Sequence, residues 1–301
     1  MNTLPNELKS KILGECEYTD CMSFRATSRK NHDIGNYMLA KTQTFDFRHY
    51  RRHILEAEEK MKKKNGGNLN SAKMIAFMEF LPSLQKLVLA DLPCFFTLSD
   101  MIKLGKSLPN LYKFSIVQEE NNQWLGKEAL LGLNYFESLN NLKLVGWEPS
   151  NVAKRGCAAR YEVIPQGTLR KLLNITIICK QETVSKVLQH ILDNEVFMTN
   201  CVKAKFNVRL SSADIPHLIM KFIEFHPNIQ KIAFNGFLFT TQEQVQSFYD
   251  HLLALPQLER VHLDNCSVIE RIEQALQRTF LEALRKRGIK FNNLVKSMRH
   301  G

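Results

Sequence analysis

The chain has 301 residues, with 41 Lys and Arg against 30 Asp and Glu for a net charge of +11, and it is 44% apolar and 24% charged. That balance is globular and excludes disorder over most of the length, which suits one large or two ordinary domains. No apolar run approaches the ~18 residues of a membrane span, and Pro5 and Glu7 stand where a signal peptide would have a basic start and an apolar core, so the cytosol or nucleus is the expected compartment and no membrane is an expected partner.

The seven cysteines (Cys16, Cys21, Cys94, Cys157, Cys179, Cys201 and Cys266) are odd in number, scattered, and never spaced C-x-x-C. They read as reduced core residues, with neither a disulfide framework nor a metal site expected. Two basic runs, residues 60–64 (KMKKK) and 285–287 (RKR), read as solvated surface or a nuclear import signal, so the positive charge favours acidic partners while nucleic acid is disfavoured.

In chain order, the first element predicted is a helix beginning at Pro5, whose fixed backbone angle and missing amide suit the first helical position, with Glu7 against the positive helix end. Leu8, Ile12 and Cys16 recur every four residues to form an apolar stripe, widened by Leu13, with Lys9, Ser10 and Lys11 expected to face water. Thr19 or Asp20 is positioned to cap a second helix carrying Cys21, Met22 and Phe24, and Ser28 a third running toward Leu39. Three such helices in under 40 residues are expected to lack a core of their own and to bury their stripes against the next domain or another protein.

The order Leu4-Pro5-x-Glu7-Leu8, Ile12-Leu13, Asp20 with Cys21-Met22, then Ser28-Arg29-Lys30 resembles the F-box, the adaptor-binding motif of substrate receptors in SCF-type cullin-RING ubiquitin ligases. The resemblance implies that Leu4, Pro5, Leu8, Ile12, Leu13 and Met22 face the adaptor, and through it a cullin. Many members carry Trp where this chain has Asn31 and Leu where it has Cys16, which implies weaker adaptor binding. A helical cap closing the open end of a repeat array is the alternative use of the same helices.

Beyond residue 40 a unit apolar-x-apolar returns nine times: Phe45-x-Phe47, Leu87-x-Leu89, Phe114-x-Ile116, Leu142-x-Leu144, Ile175-x-Ile177, Phe206-x-Val208, Ile232-x-Phe234, Val261-x-Leu263 and Ile289-x-Phe291. Most units have an apolar residue three positions earlier, and the phrases LPSLQKLVL, LPNLYKFSI, HPNIQKIAF and LPQLERVHL nearly repeat one another. Between them lie segments with 3.6-residue periodicity, such as Val184-Val187-Leu188-Ile191 and Val245-Phe248-Tyr249-Leu252. Thr97 or Ser99, Ser211 or Ser212, and Thr240 or Thr241 are their candidate caps. One strand and one helix per ~28 residues resembles the long leucine-rich repeat. The expected fold class is therefore α/β: a three-helix F-box over residues 1–40, then a leucine-rich-repeat solenoid over residues 41–301 with a curved parallel sheet of about nine strands inside and helices outside. A closed strand–helix barrel is the competing architecture, but its catalytic residues would cluster at the strand ends, where none recur here.

The Asn or Cys that normally follows each repeat strand is replaced by residues such as Leu92, Trp147 and Phe237, and only Cys266 fits. Alternation turns the residues between and just after the members of each apolar pair outward. Apolar outward positions ringed by polar ones suit a protein partner, for which Arg48, Lys143, Ile178, Arg209, Asn235 and His262 are candidates, together with Trp147 from the long loop 146–167. That loop also carries Arg155, Arg160 and Tyr161, while residues 51–67 read as an exposed charged helix and turn. Trp147, Trp124 and Phe239 have core packing as their competing assignment.

No phosphate-binding glycine loop, H-E-x-x-H, G-x-S-x-G or cysteine nucleophile set occurs, so no catalytic or metal-binding residue and no cofactor is expected. The resemblance then implies a non-catalytic receptor that holds a protein substrate near a charged ubiquitin-conjugating enzyme. The alternative is a leucine-rich interaction scaffold with no ubiquitin role.

Overall fold

The structure is a computed structural model that describes residues 5–14, 24–48, 70–119, 121–148, 163–208 and 214–297. The predicted second helix, residues 51–67, Ser211 and Ser212 as caps, and Arg155, Arg160 and Tyr161 lie outside the described residues. The chain divides into two compact units, residues 1–139 and 140–301.

In the first unit, α1 (Asn6–Gly14) begins one residue later than predicted, with Pro5 just ahead of it and its carbonyl accepting from the Lys9 amide at 3.1 Å. Ser28 caps α2 (Arg29–Ala40) as predicted, its hydroxyl accepting from the Asn31 amide at 3.2 Å. Contrary to expectation, these segments assemble a small core of their own, with Leu13, Phe24 and Ile34 buried together and Met38 packed against them. Lys9 is also not a water-facing residue. It is 3% exposed, and its ammonium lies 3.4 Å from Asn31 Oδ1. Charge alone suggested the solvent face, but the carbonyl that receives this lysine comes from another helix. Asn31 is itself buried and donates to Thr27 Oγ1 at 2.8 Å, so the polar side chain at this position is satisfied internally.

Three parallel strands follow, β1 (Thr44–Asp46), β2 (Lys86–Ala90) and β3 (Lys113–Val117), registered so that Phe45, Leu87 and Phe114 align. Helix α3 (Ser71–Met78) precedes β2 and α4 (Leu98–Ser107) precedes β3. Thr97 caps α4 in a reciprocal box with Asp100. A 3-10 helix (Ala129–Tyr135) then packs on α4 so closely that a Cβ on Gly132 would lie 2.7 Å from Met101 Cβ.

The second unit repeats the pattern with six parallel strands: β4 (Asn141–Val145), β5 (Asn174–Cys179), β6 (Lys203–Val208), β7 (Lys231–Asn235), β9 (Arg260–Asp264) and β11 (Lys290–Asn292). They pair in that linear order without closing on themselves. The intervening helices are α5 (Gln166–Lys171), α6 (Gln181–Asp193), α7 (Asp214–Phe225), α8 (Gln242–Ala254, capped by Thr241) and α9 (Gln274–Lys286). Short strands β8 (Leu238–Phe239), β10 (Ser267–Val268) and β12 (Lys296–Ser297) form a second parallel sheet just beyond the strand exits. Both units are thus α/β, with three main strands in the first and six in the second among the described residues, and consecutive strands lie side by side within each unit.

Period-2 alternation places the listed apolar residues inward. From Phe45 to Ile289 each is 4% exposed or less, and each stabilises its unit by roughly 1.5–3 kcal/mol through burial. Phe291 departs at 36% exposed, since among the described residues β11 pairs with β9 on one side and no strand lies on its other. The residue leaving the strand adopts a left-handed backbone in five repeats, at Asp91, Gly146, Gly236, Asn265 and Asn293, the residue types that tolerate it. The amides of Asp91, Gly146 and Gly236 donate to carbonyls near the end of a neighbouring strand, those of Val117, Ile178 and Asp264. Leu92, Trp147, Phe237 and Cys266 then turn inward and are buried, so an apolar ladder replaces the expected polar one. Cys179, Cys201 and Cys266 are likewise buried, and desolvation pushes each thiol up to about 12.

His226 occupies the position that Leu81, Leu108 and Leu255 fill in the other repeats. It is 2% exposed, with Nδ1 2.6 Å from the Phe222 carbonyl and its ring stacked on Phe222. Burial pushes its pKa below the ordinary value, and backbone hydrogen bonds to Phe222 and Val196 only partly oppose this. The unfolded chain therefore takes up a proton near pH 6.5 while the folded one resists, so stability present above that value is lost as pH falls through it. His251 moves the other way. Burial lowers its pKa, but hydrogen bonds to the Ser247 carbonyl and the Glu224 carboxylate raise it overall. We expect the urea midpoint to drop less between pH 7.5 and 5 in His226→Leu than in the parent. Because His251 titrates in both proteins, equal drops would assign the acid sensitivity elsewhere.

Candidate protein-interaction faces

Two surfaces carry the residues that the sequence singles out. The first is α1. Leu8 is 48% exposed and Ile12 42%, one turn apart, while Leu13 is 6% exposed inside the small core. The helix is anchored through Leu13 and Lys9 and leaves Leu8 and Ile12 together on the neighbouring side. Pro5 is exposed beside them, and Leu4 and Met22 lie outside the described residues. Leu13 is therefore a correction to the predicted adaptor-facing set, because its side chain fills the space between α1 and α2.

The second is the outward face of the strands. Arg48 follows β1 in the first unit, where it is exposed and ion-paired with Asp46; the hydrogen bond to that carboxylate raises its pKa further. Ala90 and Ser115 hold outward positions in the same unit yet are 1% and 5% exposed. In the second unit, Lys143, Ile178, Asn235 and His262 all occupy outward, half-buried positions on one sheet face, but they form two separated pairs, Lys143 with Ile178 on β4 and β5 and Asn235 with His262 on β7 and β9, with β6 between. His262 Nε2 lies 3.1 Å from Asn292 Nδ2. Arg209 lies outside the described residues. Trp147 is a correction: at 1% exposed its indole belongs to the interior of the second unit, as does Phe237. Trp124, whose indole N–H donates to the Val117 carbonyl at 2.9 Å, and Phe239 are core as well.

Strand register reveals a further set. The first residue of each main strand is also outward, and it aligns Asn141, Asn174, Lys203, Lys231, Arg260 and Lys290 across the second unit. The last four are exposed cations on consecutive strands. The equivalent row of the first unit holds Thr44, Lys86 and Lys113. The apolar pairs read from the sequence hide this row because those of β6 and β11 are two residues out of step: register aligns Ala204, not Phe206, with Ile175 and Ile232, and Phe291, not Ile289, with Val261. An open cleft also lies among Phe197, Thr199, Glu224, Phe225 and Asn228, with Phe197 and Phe225 packed ring to ring at 5.4 Å.

Among the described residues no group of three or more His, Cys, Asp or Glu is placed to hold a metal ion, and no helix is long and apolar enough to cross a membrane. No family model matches the chain, and no curated protein matches it. Among solved structures it is similar to a crystal structure of a Bacteroides fragilis protein from a structural genomics consortium, at 13% identity over 77% of this chain and 71% of that one, with a TM-score of 0.44.

Proposed function

We propose that this chain is the substrate-recognition subunit of an SCF-type E3 ubiquitin ligase, with its first helices as an F-box docking on the adaptor and its leucine-rich strand–helix repeats forming a solenoid that holds a protein substrate. The observation that carries this reading is the pair Leu8 and Ile12, exposed together on a helix whose neighbouring side is tied down by Lys9 and Leu13. A two-residue apolar patch beside Pro5 is a handle for a foreign chain, and the L-P-x-E-L order around it is the order of the motif it resembles. Asn31, where many members carry Trp, is taken up internally by Lys9 and Thr27, which concentrates docking on the Leu8 side. The chain's own contribution is proximity: holding a substrate beside a charged conjugating enzyme turns a bimolecular transfer into a nearly intramolecular one.

Each of the two side chains, buried at an interface, contributes about 1.5–3 kcal/mol, so the double variant Leu8→Ala, Ile12→Ala should weaken adaptor binding roughly a hundredfold or more. Both residues are exposed in the free chain, so the variant should keep its circular dichroism spectrum and urea midpoint. Coprecipitation of the adaptor should collapse. Recovery equal to that of the parent removes the proposal.

A further inference from the structure

Four cations, Lys203, Lys231, Arg260 and Lys290, stand at one register position on β6, β7, β9 and β11. Strands are ~4.8 Å apart, so the row is about 14 Å long, the reach of roughly four extended residues. Like charges directly opposite one another on neighbouring strands destabilise a sheet. Three such neighbouring pairs follow one another here, and among the described residues the row meets one carboxylate, Glu259 at 3.5 Å from Lys231. Lys205 and Lys143 stand one step further along their strands on the same face, enlarging the positive field. The one carboxylate among the described outward positions of these six strands, Asp264, lies toward the opposite end and is engaged by Asn293 Nδ2 at 2.7 Å.

We infer that this row is the docking strip for an acidic segment of the partner protein, laid across β6 to β11 so that successive carboxylates or phosphates meet successive strands. The inference rests on the receptor reading and names the chemistry of what the receptor holds. Charge complementarity selects the occupant: the strip has cations in excess and Asn, Thr and Ala beside them, a lining for a polar acidic peptide. A single-stranded nucleic acid would need aromatic platforms for its bases, and among the described outward positions of these strands there is no Phe, Tyr or Trp.

The test uses the full chain and a fluorescein-labelled (Glu)8 peptide in an anisotropy titration, with (Ser)8 and (dT)12 as competitors. The parent should bind (Glu)8 and lose about fivefold or more in affinity between 50 and 200 mM salt. Lys203→Gln, Lys231→Gln, Arg260→Gln and Lys290→Gln together should weaken binding about tenfold or more, while the urea midpoint stays level or rises because cross-strand repulsion is relieved. A control removing four charges elsewhere (Lys103→Gln, Lys127→Gln, Arg278→Gln, Lys286→Gln) should retain most of the binding. Absent binding of (Glu)8, or equal losses in the two variants, overturns the inference. Displacement of (Glu)8 by (dT)12 at lower concentration than unlabelled (Glu)8 also overturns it, reassigning the strip to nucleic acid. Adaptor coprecipitation run in parallel separates the two proposals: recovered adaptor with no (Glu)8 binding sinks the strip alone, and the reverse pattern sinks the receptor reading alone.

Discussion

Alanine at Gly236 should cost the second unit about 3 kcal/mol or more, read as a lowered urea midpoint, and is expected to have one of the largest effects of any single methyl group added to this chain. Gly236 holds a left-handed backbone, φ +79°, and a Cβ built there would lie 1.9 Å from the carbonyl oxygen of Val208. That oxygen is backbone at the end of β6, so relief requires moving a strand end rather than rotating a side chain. The left-handed conformation alone costs a non-glycine residue roughly 1–2 kcal/mol. Gly288 isolates that part, since it has φ +67° with nothing within 4 Å of its would-be Cβ. Gly288→Ala should therefore cost only about 1–2 kcal/mol, and the difference between the two variants measures the steric clash. Equal effects would mean that the strand exit yields freely.

The second large effect is expected at Phe234. Its ring is 1% exposed and packs edge-on to Phe237 at 5.1 Å and Phe248 at 5.5 Å, with Phe206 stacked alongside at 6.3 Å. Four aromatic rings from a strand, its neighbour, the strand exit and α8 meet there, so truncation leaves a cavity whose rigid walls relax little. Phe234→Ala should cost about 3–5 kcal/mol. Phe291 stands in the inward row of Ile232 and Val261, two residues earlier in the repeat than Phe234, and is 36% exposed, so Phe291→Ala should cost under about 1 kcal/mol. Comparable losses at the two positions would show that the last strand is covered by a partner or another copy under the conditions of measurement.

The contrast between Phe234 and Phe291 also marks where the sequence was readable. The period-2 pairs and the LPxL lead-in found every main strand, because inward burial at those positions is dictated by alternation that the chain carries locally. Phe291 obeys the same pattern but sits at the sheet edge among the described residues, and periodicity contains no information about which strand is left uncovered. Trp147 failed for a different reason: aromatic residues are enriched both at interfaces and in cores, so composition could not distinguish the two uses. Lys9 was placed in water by its charge, yet its acceptor on Asn31 is 22 residues away and belongs to another helix. The basic row was hidden because it emerges only when strands are aligned with one another, whereas the left-handed exits at Asp91, Gly146, Gly236, Asn265 and Asn293 were written plainly as Asp, Gly or Asn after each apolar pair.

Pairing between consecutive strands has a bearing on how the chain is made. Among the described residues of the second unit, main strands bond to those of the repeats immediately before and after, 28–33 residues away. A ribosome working at roughly 5–20 residues per second delivers one such repeat every few seconds. Each strand therefore emerges to find the template it docks on already formed, and assembly can proceed from the amino-terminal side by accretion, one repeat at a time, without waiting for the carboxyl end.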